Sequence, residues 1–176
     1  MRVVEISALR LEPQTTFHAD EMFVVLSDPA IYKYENTPPE SLAWLRNRFL
    51  RLESRRSADG SEAWLNWVIR LPNQALIGYV QASVYADGRA AIAYILNSAH
   101  WGRGLARRAV QAMIVELTTH HQAQSFSAVL KRENFRSSEL LKRLGFTLAN
   151  TEQSALFGCE ADELAYLLER AEDLLE

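Results

Sequence analysis

The chain has 176 residues, enough to bury about 70% of its unfolded surface as one domain over residues 1–176 without disulfide or metal staples. Its 48% hydrophobic and 23% charged residues, with seven glycines and five prolines, exclude a disordered or fibrous chain, and the single Cys159 excludes an internal disulfide and a cysteine-rich metal site. The net charge of −3 offers no basic excess for nucleic acid, and the longest apolar run, Ala90–Leu96, is far short of the about 20 residues of a membrane span.

Val3–Leu11 mixes alternation with an apolar start and reads as a first strand. Ala19–Leu26 has apolar residues at helical spacing, and Asp28-Pro29 ends it. Thr37-Pro38-Pro39-Glu40 has the marks of a helix start, with Thr37 as N-cap, proline at the first helical position and Glu40 at the capping-box position. The helix that follows places Leu42, Leu45, Phe49 and Leu52 on one face and Arg46, Arg48, Arg51, Arg55 and Arg56 on the other. That arginine face reads as solvated; the alternative is attraction of an acidic substrate or partner. Trp64–Arg70 is rich in aromatic and β-branched residues and predicts a strand. The spacing of Trp64 and Trp67 sends them to opposite faces, one to the core and one to a groove. Pro72-Asn73 marks a turn, Leu76–Tyr85 a strand and Ala86–Arg89 a hairpin turn. The unbroken apolar run Ala90–Leu96 predicts a central strand covered on both faces.

Gly102–His120 predicts a long amphipathic helix, with His120-His121 at its C-terminal end. Phe126, Ala128 and Leu130 alternate as a strand. Ser137–Leu144 predicts a helix closed by Gly145, and Phe146–Leu148 begins another strand. In the last segment Leu164, Leu167, Leu168, Ala171, Leu174 and Leu175 follow helical spacing, while Leu164–Leu168 fits a short buried strand equally well. Periodicity does not decide residues 163–170. Helices separating the later strands cover both faces of a sheet, so the fold class is α/β.

The chemistry concentrates where the central strand meets the long helix. Leu96-Asn97-Ser98-Ala99-His100-Trp101-Gly102-Arg103-Gly104 is a strand end followed by a glycine-containing turn. Glycines let a ligand approach the backbone, and free amides at a helix start favour phosphate. Arg103, Arg107 and Arg108 add positive charge. A P-loop is excluded because its Gly-Lys-Ser/Thr is absent. A dinucleotide fingerprint is disfavoured because Arg107 stands at its last small position. One strand downstream lies Asn134-Phe135-Arg136-Ser137-Ser138-Glu139-Leu140-Leu141-Lys142-Arg143-Leu144-Gly145-Phe146.

Together these two segments resemble the Gcn5-related N-acetyltransferase family. Trp101-Gly102-Arg103-Gly104-Leu105-Ala106 is similar to its acyl-CoA pyrophosphate loop. Asn134-x-x-Ser137 followed by Leu-Leu-Lys-Arg-Leu-Gly145-Phe146 is similar to its second motif. With Ser27-Asp28-Pro29 after the first helix, the pattern looks most like the branch containing ribosomal-protein N-terminal acetyltransferases.

The resemblance implies a mixed, mostly antiparallel sheet, splayed at its middle into a V-shaped cleft, with helices on both faces. It implies acetyl-CoA as acyl donor, bound through Leu96, Gly102, Arg103, Gly104, Leu105, Ala106, Arg107 and Asn134, with no metal. A backbone N–H near Leu96 would stabilise the developing oxyanion, and Ser137 would serve as the catalytic hydroxyl near the thioester sulfur.

Two features common among relatives are absent here. Ala91 stands where many carry a carboxylate on the central strand, and Leu141 where many carry a tyrosine general acid. The base is therefore open among His100, Glu35 and an ordered water. With Cys159 far from both motifs, direct transfer to a primary amine is expected rather than an acyl-enzyme. A catalytically silent acyl-CoA-binding module is the alternative. The charged N-terminus lacks a signal-peptide core, so a cytoplasmic protein is expected. Its expected partners are acetyl-CoA and an amine acceptor, with neither nucleic acid nor membrane; a homodimer is left open.

Overall fold

The chain begins as a hairpin rather than one strand. In the computed structural model, which describes residues 1–34 and 36–169, β1 (Val4–Ile6) and β2 (Leu9–Pro13) pair antiparallel across Ser7-Ala8. That turn contains no Gly, Pro, Asn or Asp, so no local signal interrupts the run. Folding back buries both Leu9 and Leu11.

Helix α1 (Ala19–Val25) buries Ala19, Met22 and Val25. Helix α2 spans Leu42–Leu52 and starts later than Thr37. Pro39 disfavours the helical conformation at Pro38, so the Thr37-Pro38 pair cannot open a helix. Ser41 takes the capping role, its hydroxyl accepting from the Trp44 amide at 3.0 Å. Leu45 and Phe49 are buried as the periodicity predicts, and Arg55 and Arg56 lie beyond the helix end.

Three strands then form an antiparallel meander: β3 (Glu62–Arg70), β4 (Leu76–Tyr85) and β5 (Arg89–Leu96). Trp67 is fully buried. Strand β5 is central but not covered throughout on both faces: Ala93 is exposed and Ala91 half-buried, while Ala90, Ile92 and Leu96 are buried. Small side chains made the run look uniformly apolar; here two of them floor a groove.

Helix α3 runs from Leu105 to His121, three residues shorter at its start than the Gly102 the pattern predicted. It leads to β6 (Ser125–Lys131) and then α4 (Phe135–Arg143). Helix α4 starts before Ser137 because Asn134 caps it. The chain continues through β7, only Thr147–Leu148, a helix α5 (Thr151–Leu156) that the periodicity did not reveal, and β8 (Glu163–Leu168). Residues 163–168 are thus a strand. Ala171, Leu174 and Leu175, which carried the helical alternative, lie outside the described residues.

The strands make one open sheet in the order β1-β2-β3-β4-β5-β6-β8-β7. All neighbours are antiparallel except β5 and β6. On one face α3 and α4 cover a core built on Trp67, Ile69, Ile77, Val80, Met113 and Leu141. On the other, α1 and α2 pack Met22, Leu45 and Phe49 against Val68 and Leu76. Among the described residues no helix is long and apolar enough to cross a membrane.

Candidate active site

The sheet opens where its one parallel pair parts. Strands β5 and β6 are in register only at Arg89↔Ser125, Ala90↔Phe126 and Ala91↔Ser127, yet β5 continues to Leu96 and β6 to Lys131. Beyond Ala91 the strands diverge around a cleft of about 330 Å³. The Asn97 amide donates to Ile77 O at 2.9 Å, which sets the phase of the β4–β5 ladder. Alternation then directs the odd-numbered residues of β5 to β4, and the backbone groups of Ile92, Tyr94 and Leu96 toward β6 and the cleft.

Four of the expected acetyl-CoA-binding and catalytic residues line this cleft: Leu96, Ala106, Asn134 and Ser137. Gly102, Arg103, Gly104, Leu105 and Arg107 lie in the connector after β5 and the first turn of α3. Gly102 and Gly104 both adopt left-handed conformations, φ 74° and 71°, and Gly104 is the N-cap of α3. A Cβ built on either glycine meets nothing within 4 Å. The loop thus presents helix-start amides to open space, the arrangement that receives a phosphate. Arg103, Arg107 and Arg108 are exposed beside it.

The opposite arm is shaped by the cap of α4. Asn134 Oδ1 accepts from the Ser137 amide at 3.2 Å, so this side chain orients the turn that carries Ser137. Across the cleft the Tyr94 hydroxyl donates to Ser137 O at 3.4 Å, joining β5 to α4. Trp101 donates its indole N–H to Leu96 O at 2.9 Å, and Arg136 stacks over its ring at 4.0 Å. Tyr94, Trp101 and Arg136 were not singled out individually in the sequence. The only signal for Trp101 and Arg136 was membership of the two motifs, and for Tyr94 its place in the apolar run Ala90–Leu96.

The loop is tied to α1 from behind. Asp28 accepts from the Ser98 amide at 2.7 Å and from the Ala30 amide at 3.0 Å, and the Asn97 side chain donates to Val25 O at 3.2 Å. Hydrogen bonding from Ser98 holds the Asp28 carboxyl below the usual carboxylate range. His100 follows in the same connector. Its Nδ1 is buried without a partner among the described residues. Burial, and then the charge of Arg103, lower its pKa from the ordinary imidazole value. His100 is not one of the residues lining the cleft. Glu35, the other side-chain candidate for the base, lies outside the described residues.

Ala91 and Leu141 stand as the sequence indicated: Ala91 floors the groove beside the cleft, and Leu141 is fully buried at the cleft wall. Among the described residues no Asp or Glu lines the cleft or that groove, and no cluster of three His, Cys, Asp or Glu could hold a metal.

A divergent parallel pair, a left-handed glycine loop and an asparagine-capped helix on the facing arm define a recognisable architecture. The profile of the acetyltransferase (GNAT) domain matches residues 8–147. The chain belongs to this family. It is accordingly an acyltransferase. An N-acetyltransferase of Bacillus licheniformis named p20, itself uncharacterised, is 27% identical over 148 residues, covering 83% of each chain. Among solved structures, the ribosomal L7/L12 α-N-protein acetyltransferase RimL in complex with coenzyme A superposes with a TM-score of 0.80 over 96% of this chain and 98% of its own, at 17% identity. A ribosomal-protein-S5-alanine acetyltransferase of Vibrio fischeri gives 0.78 over 97% of each chain at 18% identity. These likenesses establish the GNAT fold, including its splayed sheet.

Proposed function

We propose that this GNAT protein, as a single domain over residues 1–176, transfers an acetyl group from acetyl-CoA directly to a primary amine, a protein N-terminus or a small-molecule amine. The observation that carries the reading is the divergence of β5 and β6 after Ala91↔Ser127, with the Gly102–Gly104 loop at its open end. Coenzyme A in the RimL complex supports the choice of donor.

The residues present fit that donor. Amides from Gly102 to Ala106, with Arg103 and Arg107 beside them, would hold its pyrophosphate at the left-handed loop, where open space meets the start of α3. Leu96 and Asn134 would flank its arm from the two sides of the cleft. Acetyl-CoA supplies the activated acetyl thioester. A backbone N–H of β5 near Leu96 would donate to the acyl oxygen, where such a donor contributes ~3 kcal/mol to a transition state. Ser137, which lines the cleft, would be the hydroxyl that gives a proton to the departing sulfur. Leu141 cannot do so, because its position carries no ionisable atom.

The test is thiol release from acetyl-CoA over a panel of primary amines, alongside melting curves. Ligand at about 100 times its dissociation constant adds about 2.7 kcal/mol, which raises Tm by roughly 5–10 °C in a domain of this size. The absence of both a melting shift and a calorimetric signal with millimolar acetyl-CoA overturns the proposal.

A further inference from the structure

The larger groove beside the cleft carries chemistry that acetyl transfer alone leaves unused. It lies on the α2 side of the meander, has a volume of about 880 Å³ and meets the cleft at Arg48, Gln81, Ile92 and Ala93, which line both. The ionisable side chains that line it are Arg48, Arg51 and Arg56, and no Asp or Glu among the described residues joins them. In a chain of net charge −3 this is a local reversal of sign.

The neighbouring arginines are engaged elsewhere. Arg46, on the same helix, pairs with Asp20 at 2.7 Å, and Arg55 donates to Gln14 O at 2.8 Å. Arg48, Arg51 and Arg56 have no carboxylate partner among the described residues; Arg48 only rests near the Trp44 ring, 5.7 Å from its centroid. A guanidinium fork matches a carboxylate in two parallel hydrogen bonds. The groove floor at Ala91 and Ala93 is neutral and small. A carboxylate at position 91 would repel an anion seated there, so Ala91 suits a negatively charged guest.

We infer that this groove selects an amine acceptor that carries carboxylates, recognised by Arg48, Arg51 and Arg56. The inference rests on the acetyl-transfer proposal and adds the class of acceptor. Two sources share this chemistry, the N-terminus of an acidic polypeptide and a free amino dicarboxylate.

The experiment compares initial rates of thiol release by the full chain on three acceptors. They are a peptide amide with Asp and Glu at its second and third positions, the same peptide with Asn and Gln there, and free aspartate. At low salt a carboxylate-bearing acceptor should show kcat/KM about tenfold or more above the neutral peptide. The advantage should shrink as ionic strength rises to about 0.3 M. In the double variant Arg51→Gln, Arg56→Gln it should fall below about threefold, with Tm and calorimetric acetyl-CoA affinity unaltered. Selective use of the acidic peptide assigns a polypeptide acceptor, and selective use of aspartate a free amino acid; both support the inference. Equal rates on acidic and neutral peptides with no preference for aspartate over them overturn it, as does acetyl-CoA binding without turnover of any of the three. Absence of acetyl-CoA binding overturns the parent proposal and this inference with it.

Discussion

Replacing Ser137 by alanine removes a hydroxyl from the cleft without disturbing the helix start, because the Asn134 cap is made to the Ser137 backbone amide. If the hydroxyl protonates the leaving sulfur, turnover falls roughly 10²-fold or more. A simple hydrogen bond to sulfur would account for about tenfold or less. Acetyl-CoA affinity should barely change, so single-turnover rates and calorimetry together decide the role; equal turnover would return Ser137 to a helix-start residue. Gly104→Val works through the backbone. The structure shows no atom for a Cβ to strike, but φ 71° is a left-handed conformation that costs a side-chain-bearing residue roughly 1–2 kcal/mol. The loop should relax out of shape and acetyl-CoA affinity should fall at least ~10-fold by calorimetry while the fold survives. At this scale the glycines and Asn134-x-x-Ser137 were legible, since each acts through neighbours in sequence. The contact from Tyr94 to Ser137 spans 43 residues, and no local pattern encodes it.

Among the elements, the connector between β5 and α3 is braced by Asp28. Asp28→Ala removes an acceptor for the Ser98 and Ala30 amides and should cost about 1 kcal/mol, lowering Tm by roughly 2–4 °C. The depressed carboxyl pKa fixes the sign of the pH dependence. Stability from a depressed acid is present above its unfolded value, about 3.9, and is lost as pH falls through the lower folded value. Urea titrations of wild type and Asp28→Ala should therefore differ by a constant amount from about pH 5 upward and begin to converge as pH falls below about 4. A gap that shows no narrowing as pH falls below about 4 would assign the effect to packing. Strand and helix order was largely readable, because β3, β4 and α3 carry long, consistent periodicities. The misreadings fall where local chemistry overrules pattern: an unsignalled turn at Ser7-Ala8, and a double proline that displaces the cap from Thr37 to Ser41. Helix α5 was overlooked although Asn150 and Gln153 form a capping box, because six residues are too few to show a period.

At the level of the whole molecule, the cleft and the groove beside it are cationic and hold no Asp or Glu among the described residues. Positive surroundings favour the neutral form of an amine, so in the proposed reaction the site would assist deprotonation by its field. Turnover should climb with pH toward the pKa of the acceptor, near 8 for an α-amine and near 10.4 for a lysine-like amine, and α-amines should be preferred at neutral pH. Profiles on matched acceptors check this. A common midpoint at or below about pH 6.5 would point instead to an imidazole such as His100. The arginine face of α2 was visible in the sequence, but its share in a groove was not, since Arg56, Trp64 and Ala91 meet there only after the meander folds.

The brief pairing of β5 with β6 also governs how the molecule comes apart. Across that seam three residue pairs join the sheet formed by β1 to β5 to the one formed by β6, β8 and β7, while β3 and β4 are zipped along nearly their whole length. Sub-global opening follows such weak lines. Amide protons of β6 and β8 should therefore exchange with solvent through openings of lower free energy than those of β3 and β4. A ligand touching both arms of the cleft acts as a rivet across the seam, slowing exchange in β6 and β8 whether or not an acceptor is present.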